Sequence, residues 1–141
     1  MTARNSIILG TAVVVLIAAI GLGANWVQQR QLAAERFSTA RTTALAAVGA
    51  LASGNPDDIN RAFGRPVPPD EAAKLVPLVP ARVASDSRPM LAPFANPDGA
   101  NRMVVEVQHP ADLDFAVLVS LEAKPDGAGW TVATVRLTTA K

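Results

Sequence analysis

The sequence predicts an α+β fold: an N-terminal transmembrane helix, then a long helix and a short helix, then a C-terminal antiparallel β-meander. Three observations carry this. Residues 5–29 hold no charge, and 7–24 are almost wholly apolar. Residues 28–53 place apolar side chains at three- and four-residue steps, the helical period. Residues 102–138 alternate apolar and polar positions between turn signals, the period of a half-buried strand.

The apolar run comes first in the chain. Eighteen residues, 7–24, at about 1.5 Å rise reach about 27 Å, near the hydrocarbon thickness of a bilayer. Ile7, Leu9, Val14, Leu16, Ile20 and Leu22 build the expected span, and Trp26 falls where an amphipathic ring sits at headgroup level. Arg4, the one charge before residue 28, suits a secretory leader. The run is longer than a leader's usual apolar core, however, and Gly21-Leu22-Gly23 is a weak cleavage site. The expectation is a retained signal anchor over residues 1–27, with a cleaved, secreted domain as the alternative. Arg4 flanks one side and Arg30, Arg36 and Arg41 the other, so charge alone gives no orientation. The short tail and the compact domain of residues 28–141 favour a single pass through the inner cell membrane, with the domain extracytoplasmic.

Composition narrows the function classes. Twelve basic and twelve acidic groups cancel over residues 28–141. Nucleic acid is therefore not an expected partner, because that affinity rests on an excess of Lys and Arg over phosphate. The absence of cysteine excludes disulfides, thiolate catalysis and a cysteine metal site.

Gln28–Ser53 reads as a helix with Phe37, Ala40, Ala44, Val48 and Leu51 along one face. Ser53-Gly54-Asn55-Pro56 ends it and starts the next: Gly54 suits a left-handed cap, Asn55 an N-cap and Pro56 the first helical position. A short helix over Pro56–Phe63 follows, closed by Gly64, with Ile59 and Phe63 facing inward together. Asp57 and Asp58 belong in its first turn, at the positive end of the helix dipole. Residues 66–97 hold eight of the eleven prolines. Two helical turns over Asp70–Val76 and an edge strand over Leu78–Ser85 are the regular elements expected there, the rest being irregular or edge strand. Three strands close the chain: Arg102–Gln108, Leu113–Glu122 and Trp130–Thr138. Asn96-Pro97-Asp98-Gly99 leads into the first, His109-Pro110-Ala111-Asp112 separates the first two, and Lys124-Pro125-Asp126-Gly127 joins the last two.

A long helix ending in Ala-Leu-Ala-Ser-Gly-Asn-Pro-Asp-Asp (50–58), a short helix ending in Ala-Phe (62–63) and a final Asp-Gly-Ala-Gly-Trp-Thr-Val-Ala-Thr-Val-Arg-Leu (126–137) are informative together. This order of parts resembles the nuclear transport factor 2-like superfamily. Within it, the chain is similar to single-pass bacterial members such as the mammalian-cell-entry-associated membrane proteins. The resemblance implies a curved-sheet cone around the long helix, a pocket between sheet and helices, and frequent dimers. Enzymatic members use a tyrosine donor with an aspartate, or a histidine–aspartate pair, inside the cone. This chain has no tyrosine, and its one histidine, His109, precedes Pro110 in a turn.

The one histidine cluster is His109 with Asp112 and Asp114. A base and its orienter need hydrogen-bond reach, whereas a turn of this composition is ordinarily solvated and self-bonded. No calcium-loop spacing, nucleophile elbow or phosphate-cradling glycine loop is present. No catalytic, cofactor-binding or metal residue is assigned, and no cofactor is expected. The expected function is a non-enzymatic, membrane-anchored accessory or scaffold protein of an envelope complex for lipid transport or secretion. It would touch membrane lipid through residues 7–27, bind protein partners in that complex and pair with a second copy. The alternative is a small hydrophobic-ligand-binding or weakly catalytic cone domain. Its pocket would be lined by Val117, Val119, Trp130 and Val135, with His109 or Asp114 near the mouth.

Overall fold

A computed structural model describes residues 3–79, 92–99, 101–109 and 112–139, with side chains over 17–79, 95–99, 101–108 and 116–138. The elements are α1 (Ala3–Ser53), α2 (Pro56–Phe63), α3 (Pro69–Leu75), a 3-10 turn (Val76–Leu78), β1 (Ala92–Pro97), β2 (Arg102–His109), β3 (Asp112–Ala123) and β4 (Trp130–Thr139). The fold is α+β, a long helix and short helices followed by an antiparallel meander of strand order β1-β2-β3-β4. The chain divides into two compact units, Met1–Glu35 and Arg36–Lys141.

The first unit is helical from Ala3. The side chains of Ile7, Leu9, Val14 and Leu16 lie outside the described residues. Those from Ile17 onward are exposed: Ile17, Ile20, Leu22, Trp26, Val27 and Leu32 are each between 48% and 72% accessible. Among the described residues no helix is long and apolar enough to cross a membrane.

In the second unit, Ala40, Ala44, Ala47, Val48 and Leu51 of α1 are buried against the sheet. Three of these five are alanines, so the helix can lie close to the larger side chains it meets. Those are Met103, Val105 and Val107 of β2, Val117, Val119 and Leu121 of β3, and Trp130, Val132 and Val135 of β4. Phe37 packs at the margin of the same core. The alternation read from the sequence is thus the alternation between core and outer face. No polar or charged side chain is buried among the described residues.

α2 has the capping its sequence demands. The Gly54 amide donates to Ala50 O and Leu51 O at 3.1 and 3.2 Å, closing α1. The Asp57 amide then donates to Asn55 Oδ1 at 3.0 Å, opening α2. Gly64 closes α2 at φ +66°, in the left-handed region. Ile59 and Phe63 are fully buried between these caps, and burying each side chain contributes about 1.5–3 kcal/mol.

The proline-rich stretch folds as α3 and the 3-10 turn, then as β1. The expected strand over Leu78–Ser85 begins inside the 3-10 turn at Leu78, and its residues from 80 onward lie outside the described ones. β1 carries Pro93 and Pro97 and pairs with β2 from Ala92↔Gln108 to Pro97↔Met103. It is an edge strand, where missing proline donors are tolerated. β4 forms the opposite edge. Its register against β3 slips between Ser120↔Thr134 and Leu121↔Val132, which leaves Ala133 as the extra residue of a β-bulge.

Arg65 sits on this bulge. Its Nε donates to Val132 O at 2.8 Å and its Nη2 to Ala133 O at 3.4 Å. The same guanidinium holds Glu71 of α3 by two bonds, 3.1 Å to Oε2 and 2.5 Å to Oε1. This pairing pushes the Glu71 carboxyl below, and the Arg65 guanidinium above, their ordinary ranges, partial burial opposing both shifts.

Candidate functional site

In the second unit, side chains of α1 and of the β3–β4 turn meet at Trp130. The β3–β4 turn delivers it. The Lys124 amide donates to Gly129 O at 3.0 Å, the Gly127 amide to Lys124 O at 2.9 Å, and the Ala128 amide to Asp126 Oδ1 at 2.9 Å. Trp130 then opens β4, its ring buried. Its Nε1 donates to Thr39 Oγ1 at 3.2 Å, and Thr39 Oγ1 in turn reaches Arg36 O at 3.1 Å. The Arg36 guanidinium carbon stands 5.3 Å from the indole centroid, in cation–π range. One aromatic side chain thereby joins α1, the turn and the sheet.

Two surface grooves share Trp130 and Lys124. The larger, about 720 Å³, is floored by small residues of α1, among them Thr42, Thr43, Ala46 and Gly49, and walled by Arg61 and Ala62 of α2. The floor is less polar than its composition. Thr42 and Thr43 donate their hydroxyls to Ser38 O and Thr39 O at 3.0 and 2.9 Å, so those protons turn back onto the helix. Arg61 and Asp58 form an exposed pair at 3.0 Å, which contributes little to stability. The second groove, about 420 Å³, carries Arg36, Asn101 and Lys124. A third space, about 360 Å³ between α2 and α3, is apolar and lined by Pro56, Ile59, Val67, Ala72 and Val76 among others.

No family model, no curated protein and no solved structure matches the chain. The site is therefore read from its own chemistry.

The described side chains expected at a pocket divide between the core and the grooves. Val117, Val119 and Val135 are buried in the packed core, facing α1 rather than open space. Trp130 lines both grooves beside them. His109 ends β2, paired in backbone register with Asp112 at the start of β3. The side chains of His109, Asp112 and Asp114 lie outside the described residues. Asp57 and Asp58 occupy the first turn of α2, the position that explains them without a ligand. Among the described residues no group of three His, Cys, Asp or Glu is placed to hold a metal ion.

Sequence reading missed Arg36, Asn101 and Lys124 around Trp130, and Arg65 with Glu71 at the bulge. The turn signal at 124–127 placed Lys124 at a strand end, yet nothing local announces that α1 passes beneath it.

Proposed function

We propose that the protein is a single-pass, membrane-anchored accessory or scaffold protein whose globular unit presents a docking surface to partners in an envelope complex. In this reading the globular unit is a nuclear transport factor 2-like cone and lies outside the cytoplasm. The observation that carries the proposal is the largely apolar helical surface of residues 17–27, where five large apolar side chains, Ile17, Ile20, Leu22, Trp26 and Val27, are about half or more accessible. A helix with so many exposed apolar side chains is at rest in lipid or under another protein. Arg30 adds to this: its guanidinium lies 3.9 Å from the Trp26 ring centroid, a pairing suited to the headgroup layer. The docking role is supported by the second unit. Apolar side chains fill the space between helix and sheet, while the larger groove at Trp130 is open at the surface.

A second reading, binding of a small hydrophobic molecule, is favoured by the apolar cleft between α2 and α3.

Membrane fractionation tests the anchor. The full-length chain is expected in the pellet after alkaline carbonate washing and released by detergent. Uncleaved chain in the supernatant without detergent overturns the proposal. Protease added to intact spheroplasts should remove the globular unit. Stable protein partners recovered from detergent-solubilised membranes support the scaffold, whereas extracted lipid or another small hydrophobe without such partners selects the second reading.

A further inference from the structure

We propose that the free edge of β4, residues 134–138, takes an extended segment of a partner protein as an added strand, with a carboxylate of that segment opposite Arg136. The inference rests on the docking reading above for its partner and names the surface and the chemistry that partner needs. β1 and β4 are the two edges of the sheet. β1 carries Pro93 and Pro97, which have no amide to donate and so blunt that edge. β4 contains no proline. At its start, Arg65 already bonds the carbonyls of Val132 and Ala133, at 2.8 and 3.4 Å. Beyond the bulge, no described residue bonds the β4 backbone on the side away from β3. Such an open row of amides and carbonyls is a template for another strand.

The side chains along this stretch say what the added strand must carry. Leu137 lies on the core side, in register with the buried Val117, yet is 42% accessible. Among the described residues it is the exposed large apolar side chain of the second unit. An apolar residue of the incoming strand beside it would cover it. Thr134 and Arg136 are exposed on the opposite face. Arg136 shares a shallow space with Asp98 and Glu122 but makes no ion pair with either, and Glu122 is bonded to Arg102 at 3.3 Å. Opposite charges directly across two strands favour pairing, and like charges oppose it. That rule argues against a second copy of β4 as the occupant. Residues 130–139 hold one arginine and no carboxylate, so symmetric pairing about this short stretch would bring the two Arg136 side chains together. The occupant is instead a segment of another protein, apolar opposite Val135 and Leu137 and acidic opposite Arg136.

The test uses the full chain in uncharged detergent micelles, carrying Thr138→Cys, which supplies its one thiol. The probe is the peptide Cys-Val-Glu-Val-Thr, blocked at both ends. Run antiparallel to β4, it sets its cysteine opposite position 138 and its glutamate opposite Arg136, and directly opposed residues lie within disulfide reach. Thiol–disulfide exchange in a mercaptoethanol buffer then reports affinity as the fraction of mixed disulfide, read by intact mass. The glutamate peptide is expected to be captured about tenfold better than Cys-Val-Lys-Val-Thr. Arg136→Glu should invert that preference, and Arg136→Lys should keep it. N-methylation of one alternate set of peptide amides should abolish capture and of the other set should not, because only one set faces β4. Equal capture of the two peptides, a preference unchanged in Arg136→Glu, or indifference to both methylation patterns overturns the proposal. Disulfide-linked pairs of the chain forming in preference to peptide capture place a second copy on the edge and also overturn it. The two peptides are compared on one and the same chain, so altered folding cannot produce the preference. Protein partners recovered from solubilised membranes should be lost from Arg136→Glu and kept by Arg136→Lys; partners kept by both overturn the assignment of this surface. The peptide readouts need neither the anchor nor a native partner, so this proposal and the docking reading fail separately.

Discussion

Arg65→Met removes a guanidinium that fastens α3 to the exposed edge of the sheet while keeping most of the side chain's length. Its cost can be assembled from the contacts. The bond to Val132 O, 2.8 Å from a charged donor, contributes about 1.5 kcal/mol. The longer contacts to Ala133 O and Pro66 O, at 3.4 and 3.3 Å, add little. The pair with Glu71 is 27% exposed on the arginine and 34% on the glutamate, and solvent screening holds it to about 1 kcal/mol. Arg65→Met should therefore destabilise the fold by about 2–3 kcal/mol, and Glu71→Gln, which spares the carbonyl contacts, by about 1 kcal/mol. Arg65→Lys keeps the charge but cannot span carboxylate and carbonyl together, so it should lie near the methionine variant. The assay is urea unfolding of the full chain in uncharged micelles, followed by Trp130 emission in the Trp26→Phe background. A double-mutant cycle with Glu71 should return a coupling of about 1 kcal/mol. An Arg65→Met cost no greater than that of Glu71→Gln refutes the anchoring on β4. A coupling near zero refutes the ion pair.

Acid should loosen the same junction. The Glu71 carboxyl titrates below its ordinary 4.5 because Arg65 bonds its charged form, so its contribution is complete above that value and is lost as pH falls through the lowered one. Midpoints of urea unfolding from pH 6 downward should show this loss, and Glu71→Gln should abolish that component; an unchanged acid limb refutes it. At the end of α2, Gly64→Ala should cost about 1–2 kcal/mol, because alanine must enter the left-handed region at φ +66°. Its Cβ would meet Trp130 O at 3.5 Å, an ordinary contact, so the cost is conformational rather than steric. An unchanged melting temperature refutes this.

The elements legible in the sequence are those whose signals are local. Asn55, Pro56 and Gly64 mark α2 from end to end because a cap and a left-handed glycine are properties of four or five neighbouring residues. β2, β3 and β4 were legible because each has one face on the same core, which writes a period of two into the residues themselves. The turn expected at Asn96–Gly99 illustrates the limit. Asn96 and Pro97 end β1, and the chain turns only afterwards, with the Asp98 amide on Arg102 O at 3.1 Å. Pro93 and Pro97 argue locally against a strand, but β2 offers a partner from outside the segment and an edge position tolerates them.

The same distinction separates the two candidate sites. Apolar alternation selected Val117, Val119 and Val135 together because they share a sheet face, and a shared face is as much the property of a core as of a pocket wall. What distinguishes the two is whether a helix covers that face, and here Ala40, Ala44, Ala47, Val48 and Leu51 do. Trp130 is shared by the expected pocket and the observed grooves because it stands where that cover ends. Arg36 and Lys124 are far apart in sequence and carry no common motif; they become neighbours because α1 runs beneath the β3–β4 turn, with the Trp130–Thr39 bond holding the crossing. A charge pattern made by a crossing is invisible to spacing rules along one element.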